Sequence, residues 1–202
     1  MITWLGLPVQ TARADVDETP HPGESPDALA VRLARAKAHA LAPSLDDGWH
    51  FALAADTTVD LDGLSLGKPA SAEEAQAMLR RLRSRTHQVH TGVALRAADG
   101  NTLIARRVTT EVRMRAYSEA EVAAYIASGD PLDKAGGYAI QHPEFQPVAQ
   151  VERCYANVVG LPLCAITAML ADCGYEIAGP MADLCRRHFA YRCPVPDAGV
   201  AL

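Results

Sequence analysis

The spacing of apolar and polar residues predicts several helices, and two of them carry clear start signals. Ser25-Pro26-Asp27 opens the first, with Ser25 as the N-cap and Pro26 at the first helical position. Its apolar positions continue to about Leu41. The stretch 71–74 (SAEE) has the pattern of a capping box, and apolar residues follow it at helical spacing.

Two further helices are predicted downstream. A second capping-box pattern at 118–121 (SEAE) opens a helix that stops near Gly129. A mostly apolar stretch runs from about Pro162 to Cys173 and is followed by Gly174, a favoured residue just past a helix end. We expect this last helix to be buried.

Strands are predicted between these helices. Residues 51–55 (FALAA) are uniformly apolar, which indicates a central strand, covered on both faces, that ends at Asp56. Residues 88–96 and 102–115 flank the turn residues 98–101 and predict a hairpin. The prediction is an α/β fold with a mixed twisted sheet and flanking helices.

The pattern weakens toward the C-terminus. From about Gly179 the chain shows no clear period, so we divide it into a domain over 1–178 and a loosely attached C-terminal extension over 179–202. A length of 202 residues fits one sizeable domain or two small lobes around a shared cleft.

Composition and charge narrow the function classes. Hydrophobic residues make up 49% and charged residues 21% of the chain, as in ordinary soluble globular proteins. The formal net charge of −5 disfavours nonspecific binding of nucleic acid. The arginines within 80–85 could bind phosphate. The favoured interpretation is that they are solvent-exposed at a helix end, where their positive charge complements the helix macrodipole.

No stretch approaches the roughly 20 apolar residues of a membrane span, and no secretory leader is apparent. We therefore expect a cytoplasmic protein without a membrane partner. The five cysteines form no CxxC pair, and Cys185, His188 and Cys193 match no standard zinc spacing. Free thiols are the expectation.

Six polar residues at element ends or on the first helix are candidates for chemistry: Glu18, Lys37, Asp56, Thr57, Lys68 and Gln141. Carboxylates hold divalent metals or orient water, and lysines neutralise charge on phosphoryl oxygens. Acids near lysines therefore suggest phosphate chemistry, although each residue alone also fits an ordinary turn, cap or surface position.

The order of the short motifs is more specific than any one of them. The chain contains, in this order, DVDET, LAxxKA, AADTTV, LGKP, EEAxxML, HxVHTGVAL, DKAGGYAIQ and NVVGLPL. From about Trp4 to Tyr175 this series resembles the Maf family of nucleoside triphosphate pyrophosphatases. The resemblance implies a two-lobed α/β fold with a central cleft, usually as a homodimer. It also implies hydrolysis of a nucleoside triphosphate to the monophosphate and pyrophosphate, with Mg²⁺ or Mn²⁺.

The resemblance assigns roles to individual residues. It makes Asp56 the proton acceptor and Lys37 and Lys68 phosphate contacts. It places Glu18 near the metal and the polyphosphate, so Glu18 and Asp56 are the expected metal ligands. It makes Thr57 and Gln141 the residues that help choose the base. Their combination looks like the branch that acts on dTTP and UTP, whereas the branch for 7-methyl-GTP differs at those positions. An amide, both donor and acceptor, suits the edge of a uracil-type base.

One family motif is not found in this chain. The family has a strand followed by SxSPRR, whose serine and arginines bind the triphosphate, upstream of a segment like WLGLPVQ (4–10). Each lost charge-assisted hydrogen bond would cost roughly 1.5–3 kcal/mol. Either the start is placed too far downstream or this is a natural variant, and we expect weak or no activity from the chain as written. The alternative function is then a nucleotide-binding regulator linked to cell division.

Overall fold

The computed structural model describes residues 1–41, 48–189, 191 and 193. Along the described chain the helices and strands are α1 (Pro26–Leu41), β1 (Phe51–Leu61), β2 (Leu64–Leu66), α2 (Ala72–Leu82), β3 (Thr86–Ala97), β4 (Leu103–Met114), α3 (Glu119–Ala127), β5 (Val148–Glu152), α4 (Tyr155–Val158), α5 (Leu163–Asp172) and α6 (Met181–Phe189). Short 3-10 turns lie at Ile2–Leu5, Asp130–Asp133 and Ala135–Gly137.

The strands form one sheet in the order β2-β1-β3-β4-β5. The α/β class with flanking helices is confirmed, but every described pairing is antiparallel, whereas the sequence suggested a mixed sheet. Two of these antiparallel pairings arise because a short hairpin joins the two strands. Asp62 and Gly63, with φ of 57° and 83°, form the two-residue turn from β1 to β2, and 98–102 joins β3 to β4.

Strand β1 is longer than its apolar run indicated. Its pairing with β3 runs from Phe51, opposite Ala97, to Asp60, opposite Gln88. Asp56 therefore lies in the middle of the strand and not at its end. The β-branched residues after Asp56 continue the ladder until the Asp62-Gly63 turn ends it.

The predicted helix starts agree with the structure. The Ser118 hydroxyl accepts the Glu121 N–H while the Glu121 carboxylate accepts the Ser118 N–H, so that capping box is complete. The Ser71 hydroxyl accepts the Glu74 N–H, but the Glu74 carboxylate binds the Ala70 N–H instead, 2.7 Å away. Within the described ranges, no helix has the length and apolar character needed to span a membrane.

The arginines within 80–85 sit at the end of α2 and bind nearby acids. Arg80 and Arg83 both bind Glu119, and Arg85 binds Asp62. These pairs lie at the surface, which agrees with the interpretation of a charged helix end.

Two apolar clusters lie along the sheet, and α1 covers its opposite face with small residues. The first cluster includes Val59, Leu61, Leu79, Leu82, Val89 and Tyr117. The second includes Val93, Leu95, Leu163, Ile166, Met169 and Leu184. Val59 of β1 pairs with Val89 of β3, and Val93 lies four residues further along β3. Because side chains alternate along a strand, Val59 and Val93 are on the same face of the sheet, so the two clusters lie on one face toward opposite ends of these strands. Two clusters fit the expectation of two lobes, while the cleft between them stays a prediction.

The described part of the C-terminal extension contains a docked helix, contrary to the expectation of loose attachment. In α6, Leu184 and Cys185 are buried against the second cluster. The ring of His188 stacks on Trp4 with centroids 3.9 Å apart. The apolar positions of α6 repeat over too few turns to stand out in the sequence. The domain boundary at 178 stays a prediction, and residues 190, 192 and 194–202 lie outside the described residues.

Candidate active site

The ammonium group of Lys37 lies between two carboxylates. Its Nζ is 2.6 Å from Oδ1 of Asp56 and 2.6 Å from Oε1 of Glu18. The Asp56 side chain is 13% exposed and the Glu18 side chain 54%, so the group extends from the sheet to the surface. The structure thus brings together three of the residues that the sequence singled out.

Close packing of α1 on the sheet places Lys37 over Asp56. A Cβ atom at Gly92 would lie 2.3 Å from the carbonyl oxygen of Ala30, so only glycine allows the helix to approach so closely. The Thr58 hydroxyl donates to the carbonyl of Pro26 and ties the first turn of α1 to β1. Helix α1 is therefore fixed to the sheet by a hydrogen bond at its first turn and by close packing against Gly92 further along.

Burial and the shared ammonium set the protonation of this group. Burial raises the pKa of Asp56, and the hydrogen bond from Lys37 offsets part of the rise. Burial also disfavours charge on Lys37, but hydrogen bonds to Asp56 and Glu18 outweigh it and raise the pKa of Lys37. The bond from Lys37 lowers the pKa of Glu18. Asp56 is thus the more ready of the two carboxylates to accept a proton.

Lys68 acts on the same carboxylates from a distance. It follows the β1–β2 hairpin and is exposed, and it forms no ion pair within the described ranges. Its positive charge makes a small contribution to lowering the pKa of Glu18 and a small contribution against the raised pKa of Asp56. The hairpin thus brings this lysine within electrostatic reach of the group.

Thr57 lies on the opposite face of β1 from Asp56, because successive side chains of a strand alternate. Its hydroxyl is 2.9 Å from that of Thr91, which donates to the backbone carbonyl of Asn157. The Asn157 amide donates to Thr110 and to the carbonyl of Val89. We call Thr57, Thr91, Thr110 and Asn157 the polar seam, and it lies between the two apolar clusters.

Gln141 is not joined to these residues by any contact. Its side chain is exposed in the turn after Ala139, and it makes no hydrogen bond or ion pair with any other described residue. Its predicted role beside Thr57 is therefore supported by the family resemblance alone.

The donor set limits how a metal could be held. Among the described residues, no group of three or more His, Cys, Asp and Glu side chains could hold a metal ion. Glu18 and Asp56 offer two carboxylates around one ammonium. Mg²⁺ commonly uses one or two carboxylates and completes its shell with waters and substrate phosphates, and Mn²⁺ prefers similar ligands. The residues fit an ion shared with the substrate.

Two residues with a structural link to this group were not singled out from the sequence. Arg32 donates from Nε and Nη2 to the two carboxylate oxygens of Glu24, at 2.7 and 2.9 Å, and from Nη2 to the carbonyl of Thr19, at 2.9 Å. Thr19 is the residue after Glu18. No periodic pattern relates Glu24 to Arg32 across the start of α1, so the sequence carries no clear signal for this pair.

Comparisons with known proteins agree with the motif series. The family described as "Maf-like protein" matches residues 1–173. A protein of Myxococcus xanthus (strain DK1622) named "dTTP/UTP pyrophosphatase" is 50% identical over 177 residues, which covers 88% of this chain and 88% of that protein. A protein of the same name from Hyphomonas neptunium (strain ATCC 15444) is 45% identical over 177 residues, covering 87% and 90%.

A third relative, also named "dTTP/UTP pyrophosphatase", comes from Thermomicrobium roseum (strain ATCC 27502 / DSM 5159 / P-2). It is 42% identical over 205 residues and covers 99% of this chain and 90% of that protein, so most of the segment after Gly179 has a counterpart there. Because the family match covers most of the chain and these relatives are 42 to 50% identical to it, the chain belongs to the family of Maf-like proteins.

Proposed function

We propose that this protein hydrolyses dTTP and UTP to the nucleoside monophosphate and pyrophosphate. The names of the relatives from three bacteria support this substrate class. The observation that carries the proposal is the group formed by Asp56, Lys37 and Glu18, in which a mostly buried carboxylate with a raised pKa shares an ammonium with a second carboxylate.

Asp56 serves as the proton acceptor in this proposal. Attack of water on the α-phosphorus requires a base, and a base works better as its pKa rises toward the working pH. One oxygen of Asp56 accepts from Lys37, which leaves the other for the attacking water. Its place within a paired strand keeps the carboxylate fixed.

The two lysines stabilise the leaving pyrophosphate. Phosphoryl transfer is catalysed largely by positioning and by neutralising charge on the phosphoryl oxygens. Lys37 is half-buried and already positioned on Asp56, whereas Lys68 is exposed and free to reach phosphate. Glu18 and Asp56 would hold the Mg²⁺ or Mn²⁺ ion, which when bound supplies a positive charge shared with the phosphates.

Thr57 and Gln141 select the base in this proposal. Since Thr57 faces away from Asp56, the nucleotide would pass around the edge of β1, which in the described pairing β2 covers only from Val59 to Leu61. The seam holds the Thr57 hydroxyl in place through Thr91, and Gly160 lies close enough that a Cβ there would be 3.1 Å from that hydroxyl. A uracil-type base offers two carbonyls and one N–H, which a hydroxyl and an amide can match. Exposed Gln141 would have to turn toward the base when the nucleotide binds.

Release of pyrophosphate from dTTP and UTP, with Mg²⁺ or Mn²⁺, tests the proposal. We expect Asp56→Asn to lower kcat by about 10²–10⁴-fold, the usual contribution of a general base. Asp62→Asn is the matched control, because it removes an exposed carboxylate from the same hairpin and asparagine tolerates the φ of 57° there. Equal turnover by the Asp56→Asn and wild-type proteins would refute the role of Asp56.

The same assay separates the alternatives. Nucleotide binding without turnover by the wild-type protein would favour a regulator, and a preference for 7-methyl-GTP over dTTP and UTP would favour the sister branch. The relatives' names favour neither. The resemblance also supports a homodimer and the domain over 1–178, and the sequence pattern supports a cytoplasmic location. Light scattering, cell fractionation and limited proteolysis test these three expectations.

A further inference from the structure

Glu18 lies in a segment that secondary structure does not hold. Residues 7–25 form neither helix nor strand, and the Glu18 side chain is 54% exposed. An exposed side chain on an irregular segment costs conformational entropy each time it is ordered. Another contact must therefore keep Glu18 beside Lys37.

Arg32 supplies that contact from α1. Its guanidinium donates one hydrogen bond to the carbonyl of Thr19, the residue after Glu18. It also donates to both carboxylate oxygens of Glu24. Oε2 of Glu24 in turn accepts the backbone N–H of His21 at 3.0 Å. The segment is thus tied to Arg32 at Thr19 directly and at His21 through Glu24. A planar guanidinium can make this set of bonds at once, which a lysine cannot.

The neighbouring arginines do not contact this segment. Arg32 lines an open groove of about 1070 Å³ between α1 and β4 together with Arg35, Arg106 and Arg107. Arg106 pairs with Asp172 and Arg107 with Asp27, so they bind β4 to the helices. The Arg35 side chain makes no hydrogen bond or ion pair with another described residue.

We infer that Arg32 and Glu24 are positioning residues that hold Glu18 at the active site. The inference rests on the proposed function for its effect on catalysis. Helix α1 then acts on the site twice, through Lys37 on Asp56 and through Arg32 on the segment of Glu18. Loss of the Arg32 contacts leaves Lys37 bound to Asp56 but lets Glu18 move away. Arg32 makes no hydrogen bond or ion pair with Asp56 or Glu18 itself, and its charge interacts with Asp56 only as the smallest of the effects on its pKa.

Arg32→Gln and Glu24→Gln test the inference, with Arg35→Gln as the matched control on the same helix and groove. We expect the first two to lower kcat by about ten- to a hundredfold, as for small misplacements of a catalytic group, and the control to keep wild-type turnover. In a Glu18→Gln background, Arg32→Gln should change kcat by less than about twofold, because its effect passes through Glu18. An undiminished effect in that background would indicate a purely structural role and overturn the inference.

Hydrogen exchange provides a readout that does not depend on turnover. In peptides over residues 15–25, exchange should speed up in Arg32→Gln and Glu24→Gln and stay as in the wild type in Arg35→Gln, because the His21 N–H loses its ordered acceptor. Unchanged exchange overturns the inference. A wild-type protein without turnover refutes the proposed function, and faster exchange in the two variants then still supports the positioning of this segment.

Discussion

Replacing Gly92 with alanine places a methyl group where α1 already lies. The new Cβ would be 2.3 Å from the carbonyl oxygen of Ala30 and 2.6 Å from the backbone nitrogen of Val31. Ordinary contact begins near 3.4 Å, so the helix would have to move by about 1 Å. Backbone atoms cannot swing aside as a flexible side chain can, so the strain falls on the packing of the whole helix.

The cost follows from that displacement. Overpacking of a core typically lowers the free energy of unfolding by about 1–3 kcal/mol. We expect Gly92→Ala to lie at the upper end of this range, because the clashing atoms belong to the backbone. For a protein of this size about 3 kcal/mol lowers Tm by about 6–12 °C. A shift of about 1 Å would also carry Lys37 away from Asp56 and lower kcat, by up to about 10²-fold.

Thermal unfolding followed by circular dichroism measures the effect on stability. Gly67→Ala is the control, because a Cβ there meets nothing within 4 Å and the backbone conformation suits alanine. We expect its Tm to stay the same or to rise slightly. If Gly92→Ala melts within about 2 °C of Gly67→Ala, the close approach of α1 to β3 is not rigid and the reasoning is wrong.

Three further results are expected. His87 is buried, which lowers its pKa from 6.5 to about 4, so the unfolded chain binds the proton first as pH falls. About 3 kcal/mol of the free energy of unfolding, measured with urea, should be lost between these two pH values. The His87→Gln variant should not show this loss. Leu184→Ala should cost about 2–4 kcal/mol in the same assay, because the side chain is 8% exposed within the second apolar cluster. Lys68→Gln should move the acid limb of the pH profile of kcat/KM to higher pH, because it removes a positive charge that favours the ionised forms of Asp56 and Glu18 and so acts to lower their pKa. High salt should reduce the difference in pH profile between Lys68→Gln and the wild type.

Each of these expectations has a result that would contradict it. Parallel pH profiles for the wild type and His87→Gln would show that the buried ring is not a source of acid instability. An unchanged midpoint for Leu184→Ala would favour a loosely attached extension after all. An acid limb that stays in place in Lys68→Gln would mean that this lysine does not act on the carboxylates.

Local signals in the sequence were sufficient for the four helices α1, α2, α3 and α5 and for the β3–β4 hairpin. Ser118 and Glu121 form the capping box that their spacing predicts, and residues 98–102 join β3 to β4 where turn residues predict a hairpin. The meeting of Lys37 with Asp56 followed from the order of the motifs and was not evident from either residue alone. Their contact depends on how α1 packs across the sheet.

Contacts between distant or irregular segments could not be predicted. Arg32 and Glu24 carry no pattern, because their partners include backbone carbonyl and amide groups that any residue would present. The extent of β1 beyond Asp56 depends on pairing with β3, which composition does not encode. The helix α6 was missed because its short apolar face becomes recognisable only against the cluster that it covers.

The alternation of β1 bears on how this site could be engineered. Asp56 points toward α1, while Thr57, its neighbour in sequence, points into the polar seam on the other side of the sheet. A mutant library confined to Thr57 and Thr91 would reshape the surroundings of Thr57 without touching a residue that contacts Lys37. If Thr57 selects the base as proposed, base preference and hydrolytic rate should be adjustable one at a time, because the two side chains lie on opposite faces of β1.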